Sequence, residues 1–415
     1  MHVAYIHQHF STRAGKTGTR SFELARCLVT AGHKVSMICG VAEQSKDVLQ
    51  VDGRVGKLHF DGIDVYCINE PYANKMGFWR RIQAFLSFAN TAADVVRELD
   101  ADLVFATSTP LTVGIPGMKS ARRRNVPFVF EVRDLWPELP IALGVIKNPA
   151  IKWYTKHLER KIYHAAEHVV GLSPGIRDGI ISEGVPRDFT SMIPNASDLD
   201  LFNPDDAPLD DPRFGSTDEL RFCFTGAHGM ANGLDAVLDA AVELKRRGEK
   251  NIRFCFIGQG KERPGLIERC KREGLDGMTT WLELIPKTEL ARILPRMDVG
   301  MMILKNLPAF YYGTSPNKFF DYIAAGIPVL NNYPGWLAGM IEQHKCGVVV
   351  PPNDAKAFAD ACVWLRDNRA QLPAMGARGR KLAEAQFNRV ELGGQFVKVL
   401  ERVHSDWQAG KRRPR

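Results

Sequence analysis

The chain has 415 residues, 45% hydrophobic and 25% charged, with 55 basic against 47 acidic side chains. It is too long for one ordinary domain and too apolar for a disordered or fibrous protein, so two globular domains with ample core are expected. The excess of eight positive charges suits nucleic acid, an anionic membrane or phosphorylated substrates without choosing among them; no run of about eighteen apolar residues is present to span a bilayer.

Met1-His-Val-Ala-Tyr-Ile6 reads as a strand rather than a signal peptide. Candidate strands at 2–6, 35–39, 63–68, 102–106, 127–132, 168–172 and 190–193 alternate with helical patterns near 20–31, 78–97, 111–124, 149–166 and 174–183. Alternation of this kind predicts a parallel sheet with helices on both faces. The first strand runs into His7-Gln-His-Phe-Ser-Thr-Arg-Ala-Gly-Lys-Thr-Gly-Thr-Arg20, where Gly15 and Gly18 let the backbone approach an anion before a helix begins. His7 and His9 follow the strand directly and are candidates to touch a ligand, with a structural role as the alternative.

The segment from Asn74 to Ala89 places Phe78, Trp79, Ile82, Phe85, Leu86 and Ala89 on one helical face, with Arg80, Gln83 and Ser87 opposite. With Lys75 it is a candidate peripheral membrane contact over 75–89; packing on the first sheet is the alternative. Arg122-Arg-Arg124 reads as surface charge or as affinity for lipid phosphate. Glu131 and Asp134 stand just after a strand, a ligand-facing position in such sheets. Both are candidate acceptor-side carboxylates, against a helix cap or a partner for Arg133.

A Pro- and Asp-rich stretch from Ile193 to Phe214 reads as a linker. The same grammar then restarts, with strands at 221–225, 252–257, 279–284, 298–303, 328–331 and 347–350 and helices at 232–247, 263–273, 287–295, 316–325, 335–343 and 354–367. Glycine turns follow the first two of these strands, at Gly226-Ala-His-Gly229 and Gly258-Gln-Gly260. Neither half spells GxGxxG with a later acidic residue, and no GxxxxGK[ST] occurs, which disfavours dehydrogenase and P-loop readings. The final segment, 389–408, is helical and is expected to return to the first domain.

Ser315-Pro-Asn-Lys-Phe-Phe-Asp-Tyr-Ile-Ala-Ala-Gly326 predicts a short helix with Ser315 as N-cap, Pro316 in its first turn and Gly326 as its stop. At about 100° per residue, Lys318 and Asp321 share the front while Phe319, Phe320 and Ile323 form an apolar back. The two charges are either an i,i+3 pair or contacts to one ligand. The eight cysteines form no CxxC pair and fit buried, reduced thiols. Asp198-Leu-Asp200 spells a metal-binding Asp-x-Asp but lies in the expected linker, so it reads as a chance match.

These pieces, together with Glu131-Val-Arg-Asp-Leu-Trp-Pro-Glu138 and Ile193-Pro-Asn195, resemble a retaining glycosyltransferase of family 4 over nearly the whole chain. The chain is most similar to the bacterial O-antigen, capsule and exopolysaccharide branch, which includes N-acetyl-fucosamine transferases. The resemblance implies the GT-B fold: two Rossmann-like doubly wound parallel-sheet domains facing across a cleft, with bounds of 1–200, 201–388 and a returning helix at 389–410.

It implies that Asp321 stands where the family has a ribose-binding glutamate, while Gly313 replaces the partner glutamate. No Arg/Lys pair follows the first strand of the second domain. The diphosphate is therefore expected to meet Lys318, the backbone near Ser315 and Asn317, His228, the turns at Gly226, Gly229 and Gly258, and the Gly15–Gly18 loop. Glu131, Asp134 and Lys318 are the expected catalytic residues, with no metal or other cofactor.

By the same resemblance the donor is a nucleotide-diphosphate sugar, with uridine as the expected base. The acceptor is a polyprenyl-diphosphate-linked saccharide at the cytoplasmic face of the membrane. Nucleic acid is not an expected partner, since no recognised module appears. Two readings stay open beside it: a GT-B nucleotide-sugar 2-epimerase and a non-catalytic nucleotide-sugar-binding protein.

Overall fold

The computed structural model describes residues 1–42, 49, 51–72, 76–204, 209 and 211–414, without the side chains of residues 42, 71, 72 and 78. Two α/β units divide the chain. The first comprises Met1–Pro194, Gly313–Ser315 and Val390–Arg415; the second comprises Asn195–Tyr312 and Pro316–Arg389.

In the first unit the strands are β1 (His2–Ile6), β2 (Lys34–Ala42), β3 (Val55–Phe60), β4 (Ile63–Tyr72), β5 (Leu103–Thr107), β6 (Phe128–Val132), β7 (His168–Gly171) and β8 (Thr190–Met192). They form one sheet in the order β3-β4-β2-β1-β5-β6-β7-β8, parallel except for β3 against β4. β5, β6 and β7 are buried along their whole length, which is why they read as unbroken apolar runs.

The hairpin strand β3 is missing from the sequence reading. Its side chains are at most half-buried, and it turns into β4 through Asp61 (φ 47°) and Gly62 (φ 81°), a two-residue turn that needs left-handed backbone twice.

The helix Phe78–Glu98 buries Ala84, Phe85, Phe88, Ala89, Ala92 and Val96. Its middle is thus a sheet-packing helix, as the alternative reading had it, while Trp79 and Leu86 stay exposed. Lys75, part of the expected membrane contact, lies outside the described residues. The C-terminal helix Arg389–Gln408 is pinned within the first unit from Val390 onward. Phe396 packs edge-on to Phe105 at 4.9 Å, and Trp407 Nε1 donates to the Asn125 carbonyl at 3.2 Å.

The second unit holds β9 (Leu220–Thr225), β10 (Ile252–Ile257), β11 (Thr279–Leu282), β12 (Val299–Met302), β13 (Val329–Asn331) and β14 (Gly347–Val349) in the order β11-β10-β9-β12-β13-β14, all parallel. The stretch expected to be a linker begins instead with a buried strap. Ser197 N–H donates to the Phe387 carbonyl at 2.7 Å, and Phe202 is fully buried. A helix missed in the sequence, Leu372–Gln386, caps the helix Asn317–Ala324: Arg380 donates to the carbonyls of Ala324 (2.7 Å) and Phe202 (2.6 Å). Its Gly376 lies so close to the Gly326 carbonyl that a Cβ would fall 1.8 Å from that oxygen.

In each unit the strand order reverses beside the first strand, between β1 and β5 and between β9 and β12. Ligands of doubly wound sheets collect at the carboxyl ends there. The helix Asn317–Ala324 is fixed to that edge by Tyr322. Its hydroxyl accepts from Thr225 N–H (3.0 Å) and donates to the Cys223 carbonyl (3.1 Å), while its ring lies against Gly300 of β12. Tyr322→Phe should lower stability by about 1–3 kcal/mol, read as a shifted urea midpoint, because two buried backbone groups lose their partner.

Candidate functional site

The second unit builds its site from two turns. β9 ends at Thr225, and Gly226 (φ 115°) turns the chain so that its N–H donates to the Ile257 carbonyl at 2.9 Å. Gly258, after β10, packs so tightly that a Cβ would lie 1.9 Å from the Gly226 carbonyl oxygen. Only glycines allow this approach. Gly229 opens into free space and leads to the 3₁₀ turn Met230–Asn232.

Lys318 reaches over this turn from the helix Asn317–Ala324. Its Nζ stands 3.8 Å from the centre of the Phe224 ring and donates to Asn232 Oδ1 at 3.2 Å. Among the described residues no carboxylate lies within ion-pair reach of it. Burial pushes its pKa down to about 7. Lys318 is thus a half-buried amine, held by an amide and an aromatic face and paired with no carboxylate among the described residues.

Asp321, three residues on, does not pair with Lys318. Its Oδ1 lies 3.1 Å from Lys287 Nζ, which also binds Asp198, and Asp198 in turn takes Arg389 Nε at 2.7 Å. Burial raises the Asp321 pKa against the pull of Lys287. Asp198, buried too, is held well below the carboxylate range by Arg389 and Lys287. Both charges that bind Asp198 are therefore internal side chains, and its Asp-x-Asp spelling lies in the buried strap.

His228 departs from expectation. It is fully buried, ringed by Phe224, Phe256 and Trp281, and both ring nitrogens lack hydrogen-bond partners among the described residues. Burial, with Arg263 and Lys318 nearby, brings its pKa down to about 4, so the ring is neutral in this structure. Ser315 is buried but is not the helix cap. The helix starts at Asn317, half-buried, with Pro316 in the cap position and no side-chain capping bond.

In the first unit, Arg20 and Glu131 form a fully buried ion pair at 2.7 Å. Arg20 also donates to the carbonyls of Pro194 (2.6 Å) and Ile193 (2.8 Å), and Thr107 Oγ1 donates to Glu131 Oε2 at 2.6 Å. Burial alone would raise the Glu131 pKa, but Arg20 lowers it overall. Glu131, expected to be an acceptor-side carboxylate, is instead enclosed, and its partner is Arg20 rather than Arg133.

Arg133 Nη1 donates to His7 Nε2 at 3.0 Å. His7 must then carry its proton on Nδ1, which donates to Ser21 Oγ at 2.8 Å. Burial and Arg133 keep that imidazole neutral. His9 is half-buried, and burial takes its pKa down to about 4.

Asp134 is half-buried and makes no hydrogen bond or ion pair among the described residues, and burial raises its pKa. Gly15 is buried in a tight turn on Thr12, and Gly18 is half-buried. Asn232, Phe224, Lys287 and Arg20 were not singled out from sequence. A buried arginine opening a helix and an asparagine before the glycine of NGL are the signals that could have found two of them.

Residues 17–196 match the glycosyl transferase 4-like domain, and residues 219–368 match glycosyl transferases group 1. The chain is similar to the amylovoran biosynthesis glycosyltransferase AmsK of Erwinia amylovora, 24% identical over 41% of this chain and 42% of that protein. It thus spans under half the length of that relative. Among solved structures it is similar to sucrose-phosphate synthase from Thermosynechococcus elongatus, with 17% identity, a TM-score of 0.75, and coverage of 97% of this chain and 99% of the other. It is also similar to Anabaena Alr3699/HepE in complex with UDP and glucose, with 14% identity, a TM-score of 0.71, and coverage of 97% and 100%. These likenesses show the GT-B fold. The two domain matches, one in each half of the chain, place it among the glycosyltransferases.

The enclosed ion pair makes a direct test of placement. Arg20→Gln should cost about 3–5 kcal/mol in urea unfolding, because it strands a buried carboxylate.

Proposed function

We propose that the protein is a retaining glycosyltransferase. It moves a sugar from a nucleotide-diphosphate donor, with UDP as the nucleotide, to a polyprenyl-diphosphate-linked saccharide in surface polysaccharide assembly. The observation that carries this reading is Lys318, a half-buried amine above the Gly226 turn with no carboxylate within ion-pair reach among the described residues. Such an amine gains its proton fully when a diphosphate arrives, and the charge then stabilises the departing nucleoside diphosphate. Support for the nucleotide comes from HepE, solved with UDP and glucose, and for the product class from AmsK, named for amylovoran biosynthesis.

In this reading Asp321 accepts from the ribose hydroxyls with its remaining acceptor capacity: Oδ1 has no aligned hydrogen bond despite lying near Lys287. His228 offers one neutral N–H beneath the turn. On the acceptor side Asp134, uncommitted and with a raised pKa, is the carboxylate that meets the incoming hydroxyl. Glu131 positions the strand end through Arg20 and Thr107. In this reading the positive charge that meets the departing diphosphate is that of Lys318, so the reaction is metal-independent, and activity should persist in excess EDTA.

Purified protein incubated with UDP-sugars and a polyprenyl-diphosphate saccharide should release UDP and yield a product whose anomeric configuration, read by NMR, matches the donor. A stereoisomer of the donor accumulating without acceptor would replace this reading with an isomerase. Donor binding with no UDP release from any acceptor would replace it with a non-catalytic binder. Lys318→Gln should lower kcat/KM about 100-fold.

Donor binding should also depend on pH with a defined sign. The free amine is protonated below about 7, whereas the complex requires the proton at all pH values. Affinity should therefore fall by up to about tenfold per pH unit above 7, with proton uptake visible in calorimetry across buffers, and Lys318→Arg should flatten the profile.

A further inference from the structure

The 3₁₀ turn Met230–Asn232 is braced where it meets Lys318. Asn232 N–H donates to the Gly229 carbonyl at 3.0 Å, and Lys305 N–H, just beyond β12, donates to the Ala231 carbonyl at 2.9 Å. Gly233 (φ 55°) presses so closely on the same backbone that a Cβ would lie 2.9 Å from Lys305 Cα. A side chain there would push the turn off the strand exit. Backbone contacts therefore place Asn232, and its own amide is left for other work.

That amide is oriented by chemistry as well as by position. Lys318 Nζ donates to Asn232 Oδ1 at 3.2 Å. A protonated amine has hydrogens to give and no lone pair to receive with, so the atom that faces it is the amide oxygen. Among the described residues this is the only hydrogen bond that Nζ makes. The Phe224 ring, 3.8 Å away and fully buried in β9, closes a second side of the amine. Of the ionisable groups around the turn, His228 is neutral and the Lys305 side chain is exposed.

An amide and a carboxylate would differ here in one respect. Either can hold an ammonium in place, but a carboxylate at this distance cancels its charge, whereas an amide leaves the charge whole. A long lysine that is held beforehand also gives up less freedom when an anion arrives. Aspartate has the same shape as asparagine, so the choice at position 232 is one of charge and not of fit.

We propose that Asn232 is a positioning residue: its amide oxygen aims the Lys318 ammonium over the Gly226 turn, and its neutrality keeps that charge available to a nucleoside diphosphate. Asn232 acts through Lys318 and needs no contact of its own with the ligand. The proposal rests on the glycosyl-transfer reading for the identity of the ligand, but the influence of Asn232 on the amine is measurable without any ligand.

The titration of Lys318 in the full chain is followed by NMR of selectively labelled lysine, with its signal assigned by its absence from Lys318→Arg, and UDP binding is measured by calorimetry. Wild-type Lys318 should titrate near 7. N232D should move that titration up by about one pH unit or more and weaken UDP about 100-fold, because the new carboxylate both neutralises the amine and repels the diphosphate. N232A removes the acceptor without adding charge; it should weaken UDP about tenfold and leave the titration no higher than in wild type. Both variants should keep the wild-type unfolding midpoint. A Lys318 titration unchanged in N232D would overturn the proposal, as would wild-type UDP affinity in both variants while Lys318→Gln weakens it. If N232D does not fold, N232A carries the test, and wild-type affinity in it overturns the proposal. Failure of wild type to bind UDP while N232D still shifts the titration would overturn the glycosyl-transfer reading, and with it the role of Asn232 toward a ligand, but not the contact between the two side chains.

Discussion

A buried carboxylate at Asp198 organises the second unit. It draws Arg389 and Lys287 onto its oxygens and so ties together three segments spread over 191 residues of sequence. Lys287 in turn leans on Asp321. Taking four charges out of water is costly, and such a cluster persists only when each member is matched. The helix Asn317–Ala324 thereby receives a fixed electrostatic back. Arg380 at its end and the Tyr322 hydroxyl at the strand edge fix its position.

That arrangement separates the two charges that the sequence sets three residues apart. Asp321 is matched from within, and Lys318 is not. The asymmetry matters more than either group alone, because an unmatched amine over a glycine turn favours an anion brought from outside. Had the two paired with each other, the turn would present no net charge. The first unit follows the same logic in reverse, since Glu131 is matched by Arg20 while Asp134, near the same strand end, makes no ion pair among the described residues.

Much of the architecture was legible because parallel strands buried on both faces announce themselves as apolar runs. β3 escaped because it is a half-solvated edge, although Asp61-Gly62 carried its turn in plain view. The helix Leu372–Gln386 escaped because Gly376 and Gly379 read as breakers, when one of them is what lets the helix touch the Gly326 carbonyl. The strap after Ile193 read as a linker because proline and aspartate usually mean solvent; here Asp198 is charged and buried together. Lys318 and Asp321 stood out on a helix wheel, but their partners, Asn232 and Lys287, lie 86 and 34 residues away, beyond the reach of any local pattern.

In the first unit Lys156 Nζ stands among the carboxylates of Glu138, Glu159 and Glu183, 2.8 Å from Glu159 and 2.7 Å from Glu183. Three converging carboxylates are the ligand set that a hard divalent ion seeks, and the fold has filled the position with a covalently attached cation instead. The brace therefore needs nothing from the medium: it is indifferent to chelators and to the supply of calcium or magnesium.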